Sequence, residues 1–330
     1  MKRAAVVLCA IVAMTWTLGA WQTGSQQAGT AQAQTGAQTG QAQTAAPPPD
    51  GRGRGRGQAD PRDIGGGRCS ASPYNCIDTP NPLPKVNTVW LEEMTWMDVR
   101  DAMKDGKTTI IISTGGIEPN GPWLALGKHN YVLTANCDAI ARKLGNALCA
   151  PIVKFVPEGN YETKTSHMAT MGTISLTQPV YESLLTDIVR SFKAHGFENI
   201  IMIGDSGGNG SGMGAVAKTL NAEWAGKPLV AHVPEHYTYS VVSKEMASKG
   251  LVKEGTGDGL HDDPIISMNM FMADPKSIRY DERVKAGKAS INGVDLSDRK
   301  KTTEIGKAIV EFRATYTADA IKKAIAANKK

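Results

Sequence analysis

The strongest indication of the fold lies in residues 115–130, which read Gly115-Gly116-Ile117-Glu118-Pro119-Asn120-Gly121-Pro122-Trp123-Leu124-Ala125-Leu126-Gly127-Lys128-His129-Asn130. This segment, rich in glycine and proline, separates an apolar run at 108–113 from an amphipathic run at 131–144. The first run is typical of a buried strand and the second of a helix. Open α/β sheets carry their chemistry on loops at the carboxyl ends of strands, so the carboxylate and imidazole on this loop predict a functional site.

Apolar and periodic segments alternate along the rest of the chain. Mostly apolar runs, typical of buried strands, lie at residues 147–155, 199–203 and 228–233. Helical periodicity is present at residues 90–105, 177–195, 213–224 and 303–327. Because each strand is mostly apolar, we predict an α/β fold of three layers, in which a mainly parallel sheet has helices on both faces.

The N-terminal part of the chain differs in composition from the rest. Residues 1–20 place Lys2 and Arg3 before an apolar run that ends at small residues, which is typical of a secretory signal. We therefore expect an exported protein, periplasmic or secreted, with an uncleaved N-terminal anchor as the alternative. Residues 21–82, rich in Gln, Ala, Gly, Pro and Arg, predict a disordered tether, and residues 83–330 predict one α/β domain.

Charge and cysteine content restrict the classes of partner. The net charge of +5 is too small to indicate a nucleic-acid-binding protein, and no segment after the signal is long and apolar enough to span a membrane. Cys69 and Cys76 are close neighbours that can pair outside the cytoplasm. Cys137 and Cys149 lie in apolar runs and are predicted to be buried thiols. No Cys-x-x-Cys motif is present, which argues against a thiolate zinc site.

Three loops carry most of the reactive side chains. Their polar residues are Glu118, Asn120 and His129 in the first loop, Asp205, Ser206 and Asn209 in the second, and His261, Asp262 and Asp263 in the third. Carboxylates and imidazoles that converge on one crevice suit zinc or manganese. Each loop alone is weak evidence, because an acid or amide after a strand is often only the cap of the next helix. The three together predict a site for a divalent metal ion, with one or two ions bound.

The motifs on these loops resemble those of the creatininase (creatinine amidohydrolase) family. Its members carry Glu-x-His-Gly-Pro-His-Leu-Pro-Leu-Gly-Thr-Asp after a strand, which corresponds to residues 118–129 here. Later family segments correspond to Gly172-Thr173-Ile174-Ser175, His195-Gly196-Phe197 and Gly207-Gly208-Asn209. The resemblance covers residues 90–283, in order and with similar spacing, and implies the creatininase fold.

This chain departs from the family pattern at the metal ligands. Asn120 stands at the first histidine ligand, His129 at the aspartate ligand and Ser206 at the later histidine, whereas Glu118 is retained. Two hypotheses follow. In one, a rearranged site holds metal through Glu118, His129, Asp205 and His261. In the other, the metal is lost and the fold only binds a ligand.

The resemblance implies a metal-dependent hydrolase of a C–N amide-type bond. The candidate catalytic residues are Glu118, Glu158, His167 and Asp262. The candidate substrate-binding residues are Asn120, Trp123, Ser206, Asn209 and Tyr237. The expected substrates are small cyclic or linear amides, and the family tends to form homo-oligomers.

A serine hydrolase is a further alternative. Residues 204–208, Gly-Asp-Ser-Gly-Gly, reproduce the nucleophile motif of trypsin-like proteases. Those proteases are antiparallel β-barrels, whereas this segment follows a predicted parallel strand, and short motif identity is weak evidence. Ser206 as the nucleophile, with His129 or His261 as the base, remains the alternative mechanism.

Overall fold

A parallel sheet of four strands forms the centre of the structure, a computed structural model that describes residues 62–64, 69–255 and 257–329. The strands are β1 (Thr109–Thr114), β2 (Ala147–Cys149), β3 (Asn199–Gly204) and β4 (Leu229–His232). Their order in the sheet is β2-β1-β3-β4, and all three pairings are parallel. The predicted signal and most of the predicted tether lie outside the described residues.

Eight α-helices surround this sheet in the described part of the chain. They are α1 (Trp96–Lys104), α2 (Lys128–Leu144), α3 (Gln178–Ala194), α4 (Asn209–Trp224), α5 (Tyr239–Ser248), α6 (Pro264–Ala273), α7 (Tyr280–Lys285) and α8 (Arg299–Asn328). A short antiparallel pair, β5 (Ser290–Ile291) and β6 (Val294–Asp295), precedes α8. None of the helices in the described ranges combines the length and apolar character needed to cross a bilayer.

Alternate side chains of the central strands enter two separate cores. Ile110 and Ile112 of β1 pack with apolar residues of α3 and α4 on one face of the sheet. Ile111, between them in sequence, packs with residues of α2 and α8 on the other face. Since successive strand side chains point to opposite faces, this division requires helices on both. The predicted three-layer α/β fold is confirmed.

Most element boundaries agree with the sequence, and the exceptions have local causes. Helix α3 ends at Ala194 with His195 as its C-cap, and Gly196 adopts the positive φ of +90° that suits a glycine after a helix. The strand predicted at 147–155 stops at Cys149, because Pro151 has no N–H to donate to the ladder. Pairing with β1 resumes only as a single bridge between Thr114 and Val153.

Helices α5, α6 and α7 have no counterpart in the sequence-based prediction. Helix α6 shows why, because eight of its ten residues, from Pro264 to Phe271, are buried. A helix that is buried all round lacks the one-sided apolar pattern by which surface helices are recognised.

The described N-terminal segment contacts α1. Arg100 Nη1 donates hydrogen bonds to the carbonyl oxygens of Ile77 (2.8 Å) and Thr79 (2.6 Å). Asn81 Nδ2 donates to Asp98 Oδ1 at 2.8 Å. The predicted domain starts at Leu83. These hydrogen bonds show that residues before Leu83 also contact the domain.

Both cysteine pairs in the described residues form disulfides. Cys69 pairs with Cys76, as the sequence allowed. Cys137 pairs with Cys149 across a Cα–Cα distance of 6.2 Å, so the prediction of two buried thiols was wrong. The disulfide results from tertiary packing, because the buried face of α2 lies against the end of β2 and brings the two sulfur atoms together.

Removal of the buried disulfide is expected to destabilise the domain. The Cys137→Ala/Cys149→Ala double variant should lose about 2–4 kcal/mol of unfolding free energy, because the unfolded chain regains loop entropy and small cavities form in the core. Urea unfolding with and without dithiothreitol measures this loss. Reductant should lower the midpoint of the wild type by more than that of the double variant, in which only Cys69–Cys76 remains to be reduced; an equal response of the two proteins would contradict the assignment.

Candidate functional site

A cleft at the carboxyl ends of β1 and β3 gathers residues from all parts of the domain. Glu118 lies on the loop after β1, His129 in the first turn of α2 and Ser206 just after β3. The cleft encloses about 300 Å³, and its walls include Glu118, His129, Glu158, Gly159, His167, Ser206, Gly207, Gly208, Tyr237 and His261. This is the edge at which open α/β sheets bind ligands, as the sequence predicted.

Glu118 lies at the centre of the cleft and is almost completely buried. Its Oε1 atom lies 2.7 Å from Lys128 Nζ and 3.0 Å from His129 Nε2. His261 Nδ1 approaches the same oxygen at 3.2 Å. None of these three contacts has the alignment of a hydrogen bond, although each lies within bonding distance. One carboxylate oxygen is thus paired with the Lys128 ammonium and lies close to two imidazole nitrogens.

Three buried atoms in this cluster have no hydrogen-bond partner among the described residues: Glu118 Oε1, His129 Nε2 and Glu158 Oε1. One ligand atom from each of these three side chains lies within 4.8 Å of the others. Buried polar atoms are nearly always partnered in proteins, so three such atoms in one cluster are suited to bind an ion. Two carboxylates and an imidazole form a donor set that suits zinc or manganese. The residues therefore fit a divalent metal ion.

His167 fixes the other oxygens of the two carboxylates. Its Nδ1 atom lies 2.9 Å from Glu118 Oε2 and 2.9 Å from Glu158 Oε2. The histidine belongs to a 3₁₀ turn (Ser166–Ala169) and is half-buried in the wall of the cleft. By holding one oxygen of each carboxylate, it leaves Oε1 of Glu118 and Oε1 of Glu158 for the cluster.

The two carboxylates differ in their affinity for a proton. Burial acts to raise the pKa of Glu118, but the adjacent His129 and Lys128 outweigh it and hold that pKa below its ordinary value. Burial raises the pKa of Glu158; contact with His167 opposes this rise and the charge of Glu118 adds to it. Paired groups whose environments separate their pKa values are common in hydrolytic sites.

Asp205 lies behind His129 and not in the cluster itself. His129 Nδ1 donates to Asp205 Oδ2 at 2.9 Å, which fixes the tautomer because a carboxylate can only accept. Tyr239 Oη donates to both Asp205 oxygens at 2.8 Å, and Arg313 Nη2 donates to Oδ1 at 2.9 Å. Burial acts to raise the pKa of Asp205, but Arg313 and His129 together outweigh it and the pKa falls. Since both oxygens are engaged, the geometry favours an orienting role over the predicted ligand role.

His261, also predicted as a ligand, lies at the mouth of the cleft. Its Nδ1 atom is 3.2 Å from Asn120 Oδ1, and its ring meets that of His167 edge-on at 6.2 Å. Its backbone has a φ of +63°, uncommon for a residue with a side chain and often found at functional sites. Burial and the charge of Lys128 lower the pKa of His261 to about 4.

Ser206 and Tyr237, two of the predicted substrate-binding residues, line the cleft. Tyr237 Oη faces Gly207, where an added Cβ would lie 3.3 Å from it. In the described part of the chain no hydrogen bond joins the Ser206 hydroxyl to a histidine. The relay that would activate a serine nucleophile is therefore not formed in this structure.

Three other predicted residues are engaged elsewhere. Both oxygens of Asp262, a predicted catalytic residue, accept hydrogen bonds from Arg283 Nη2 at 2.9 and 2.8 Å, which favours a structural role. Asn209 Nδ2 donates to the carbonyl oxygens of Thr114 and Gly115, so its amide holds the end of β1. Trp123 lies against the same Arg283, 5.9 Å from ring centre to guanidinium, and is not part of the cleft wall.

Two important residues were missed by sequence reasoning. Lys128 is 2 % exposed and lies against Glu118, although a lysine at the start of a helix is normally solvated. Arg313, also buried, comes from the middle of α8 and contacts Asp205 from behind. The only signal for Lys128 was its place beside His129 in the first loop. No local pattern pointed to Arg313, because its partner Asp205 lies more than a hundred residues away in the chain.

Comparisons with known proteins identify a family whose sequence profile matches this chain. The profile of a family described as Creatininase (creatinine amidohydrolase) matches residues 92–321. A sequence comparison with curated proteins finds no significant match.

Several solved structures share the fold. A crystal structure of creatinine amidohydrolase (creatininase) has a TM-score of 0.54 at 18 % identity, over 72 % of this chain and 98 % of that chain. A manganese creatininase and a mutant creatininase of Zn–Zn type, over the same shares, each have a TM-score of 0.53 at 19 % identity. At this level of identity the similarity shows the fold alone.

Proposed function

The chain belongs to the creatininase family, and from this premise we propose that it is a metal-dependent amidohydrolase that cleaves the C–N bond of a small cyclic or linear amide. One observation carries the proposal: the buried atoms Glu118 Oε1, His129 Nε2 and Glu158 Oε1 converge on one cluster and have no hydrogen-bond partner among the described residues. We assign these three residues as the metal ligands. Zinc and manganese are the proposed ions, since related creatininases of known structure include both forms.

The residues around the ligands have separate tasks. A divalent ion bound there would lower the pKa of water and polarise a substrate carbonyl. Asp205 orients His129 so that Nε2 faces the cluster. His167 contacts both carboxylates in the wall of the cleft, and we assign it the delivery of a proton to the leaving nitrogen. Ser206 and Tyr237 are proposed to contact the substrate. A cavity of about 300 Å³ restricts that substrate to a small molecule.

Metal analysis of the purified protein is the first test. We expect about one zinc or manganese ion per chain in the wild type and in Ser206→Ala, and none in His129→Ala, which lacks one of the three ligands. A panel of cyclic amides and formamides then tests hydrolysis. Turnover should stop when a chelator removes the ion, return when zinc or manganese is added, and survive in Ser206→Ala.

The other outcomes separate the alternative functions. Hydrolysis that resists chelators and is lost in Ser206→Ala would establish a serine hydrolase. A protein that takes up no metal and hydrolyses nothing, but binds small amides in calorimetry, would be a ligand-binding member of the same fold.

We also propose that the protein is exported and forms homo-oligomers. Two disulfides among the described residues support an oxidising compartment, because such bonds are rare in the cytosol. Met171, which is 94 % exposed, and half-exposed Ile174 are apolar side chains that a second copy would cover. Cell fractionation tests the location, and light scattering during gel filtration tests the assembly; a cytosolic or monomeric protein would contradict the respective proposal.

A further inference from the structure

Lys128 is the residue of the cluster that the proposed mechanism leaves without a task. Its side chain is 2 % exposed, and its ammonium lies 2.7 Å from Glu118 Oε1. Lysine is almost never fully buried unless it is paired, and burial of a charge is costly even then. It does not form part of the wall of the cleft, so a direct contact with substrate does not explain it. Its position points to a role within the metal cluster.

The net charge of the cluster favours one bound divalent ion over two. Glu118 and Glu158 contribute two negative charges, His129 binds a metal ion as a neutral ligand, and Lys128 contributes one positive charge. With one divalent ion the sum is +1, and with two it is +3. Like charges a few ångströms apart in a buried site repel strongly, so a second ion beside the Lys128 ammonium is disfavoured.

The other side chains near Glu118 are already engaged. His167 Nδ1 contacts both carboxylates, and His261 Nδ1 lies between Glu118 and Asn120. Asn120 is committed elsewhere, since its Nδ2 donates to the carbonyl oxygens of Glu118 (3.0 Å) and Ala125 (3.1 Å) and its Oδ1 contacts His261. Ser206 offers only a neutral hydroxyl. Within the described ranges, Glu118, His129 and Glu158 form the one group of three metal-binding side chains.

We propose that the centre binds a single divalent ion and that the Lys128 ammonium takes the place of a second one as a fixed positive charge. The inference rests on the proposed function, because it presupposes the first ion. Lys128 is then a positioning residue that acts through Glu118: it holds Oε1 in the cluster and partly neutralises its charge. Unlike a second ion, this charge cannot be removed by a chelator.

Zinc binding to the full chain tests the inference without any substrate. Native mass spectrometry gives the number of ions per chain, and competition with a chromophoric chelator gives the affinity. We expect one ion in the wild type at saturation. Lys128→Met, which removes the charge but keeps the length of the side chain, should still bind one ion but at least about tenfold more tightly, because the repulsion is gone. Lys128→Arg, which keeps the charge, should bind one ion with an affinity close to that of the wild type.

Lys143→Met is the matched control, since it removes a lysine from the far end of the same helix, where Lys143 pairs with Glu311. Its zinc affinity should equal that of the wild type. Two ions per wild-type chain would overturn the inference and leave the proposed function intact. Equal or weaker binding by folded Lys128→Met would also overturn it, because a merely structural lysine predicts that result. A wild type that binds no ion would instead remove the proposed function. The wild-type count decides the matter even if Lys128→Met fails to fold.

Discussion

Glu118→Gln will abolish stoichiometric metal binding and lower the unfolding free energy of the metal-free protein by about 3–5 kcal/mol. The substitution keeps the shape of the side chain but removes the charge that faces Lys128 at 2.7 Å. A buried ammonium without a counter-charge is then left in the domain. Hydrolysis should fall by at least about a thousandfold, because the stabilisation that a bound ion gives to the transition state amounts to several kcal/mol.

Urea unfolding in the presence of a chelator measures the loss of unfolding free energy, and elemental analysis measures the number of metal ions per chain. The double variant Glu118→Gln/Lys128→Met is the control, since it removes both members of the pair. It should regain most of the stability lost in Glu118→Gln, because no unpaired charge remains, yet it should still bind no metal. If Glu118→Gln keeps one tightly bound ion per chain, Glu118 is not a ligand and the assigned centre is wrong.

Arg313→Met is the second change with a large expected effect. Arg313 and Asp205 are both fully buried, and the guanidinium also donates to the carbonyl oxygen of His236 at 2.8 Å. Without Arg313, the Asp205 carboxylate loses the largest of the interactions that offset its burial. We expect a loss of about 3–5 kcal/mol in unfolding free energy, because one partner of a buried ion pair has been removed.

A surface ion pair provides the comparison for this prediction. Arg190 binds Glu223 at 2.6 Å, but both side chains are nearly half exposed. Arg190→Met should therefore cost only about 0–1 kcal/mol, since water already solvates the partner that remains. The test compares the urea unfolding midpoints of Arg313→Met and Arg190→Met, measured in the same buffer. Similar losses in both would mean that burial around Asp205 does not produce the expected penalty.

The position of the cleft could be predicted from residues close together in the chain. Glu118 and His129 lie on one short loop between a strand and a helix, so the sequence alone indicated that they share a site. Asp205 follows the neighbouring strand, and parallel strands bring their carboxyl ends to the same edge. What could not be predicted is which atoms remain free, because that depends on the partners each side chain finds. Asp205, predicted as a ligand, is fully engaged by His129, Tyr239 and Arg313.

Local sequence patterns were enough to predict the alternation of strands and helices, the three-layer α/β fold and the edge of the sheet where the polar loops meet, because apolar periodicity and turn residues act over short stretches of chain. Tertiary packing is what brings Glu158 to Glu118 and His129, buries Lys128 beside them and joins Cys137 to Cys149. These outcomes depend on contacts between segments far apart in sequence. Whether a charge is buried or solvated, and whether a donor is free or bonded, is fixed by packing in three dimensions, which no local pattern records.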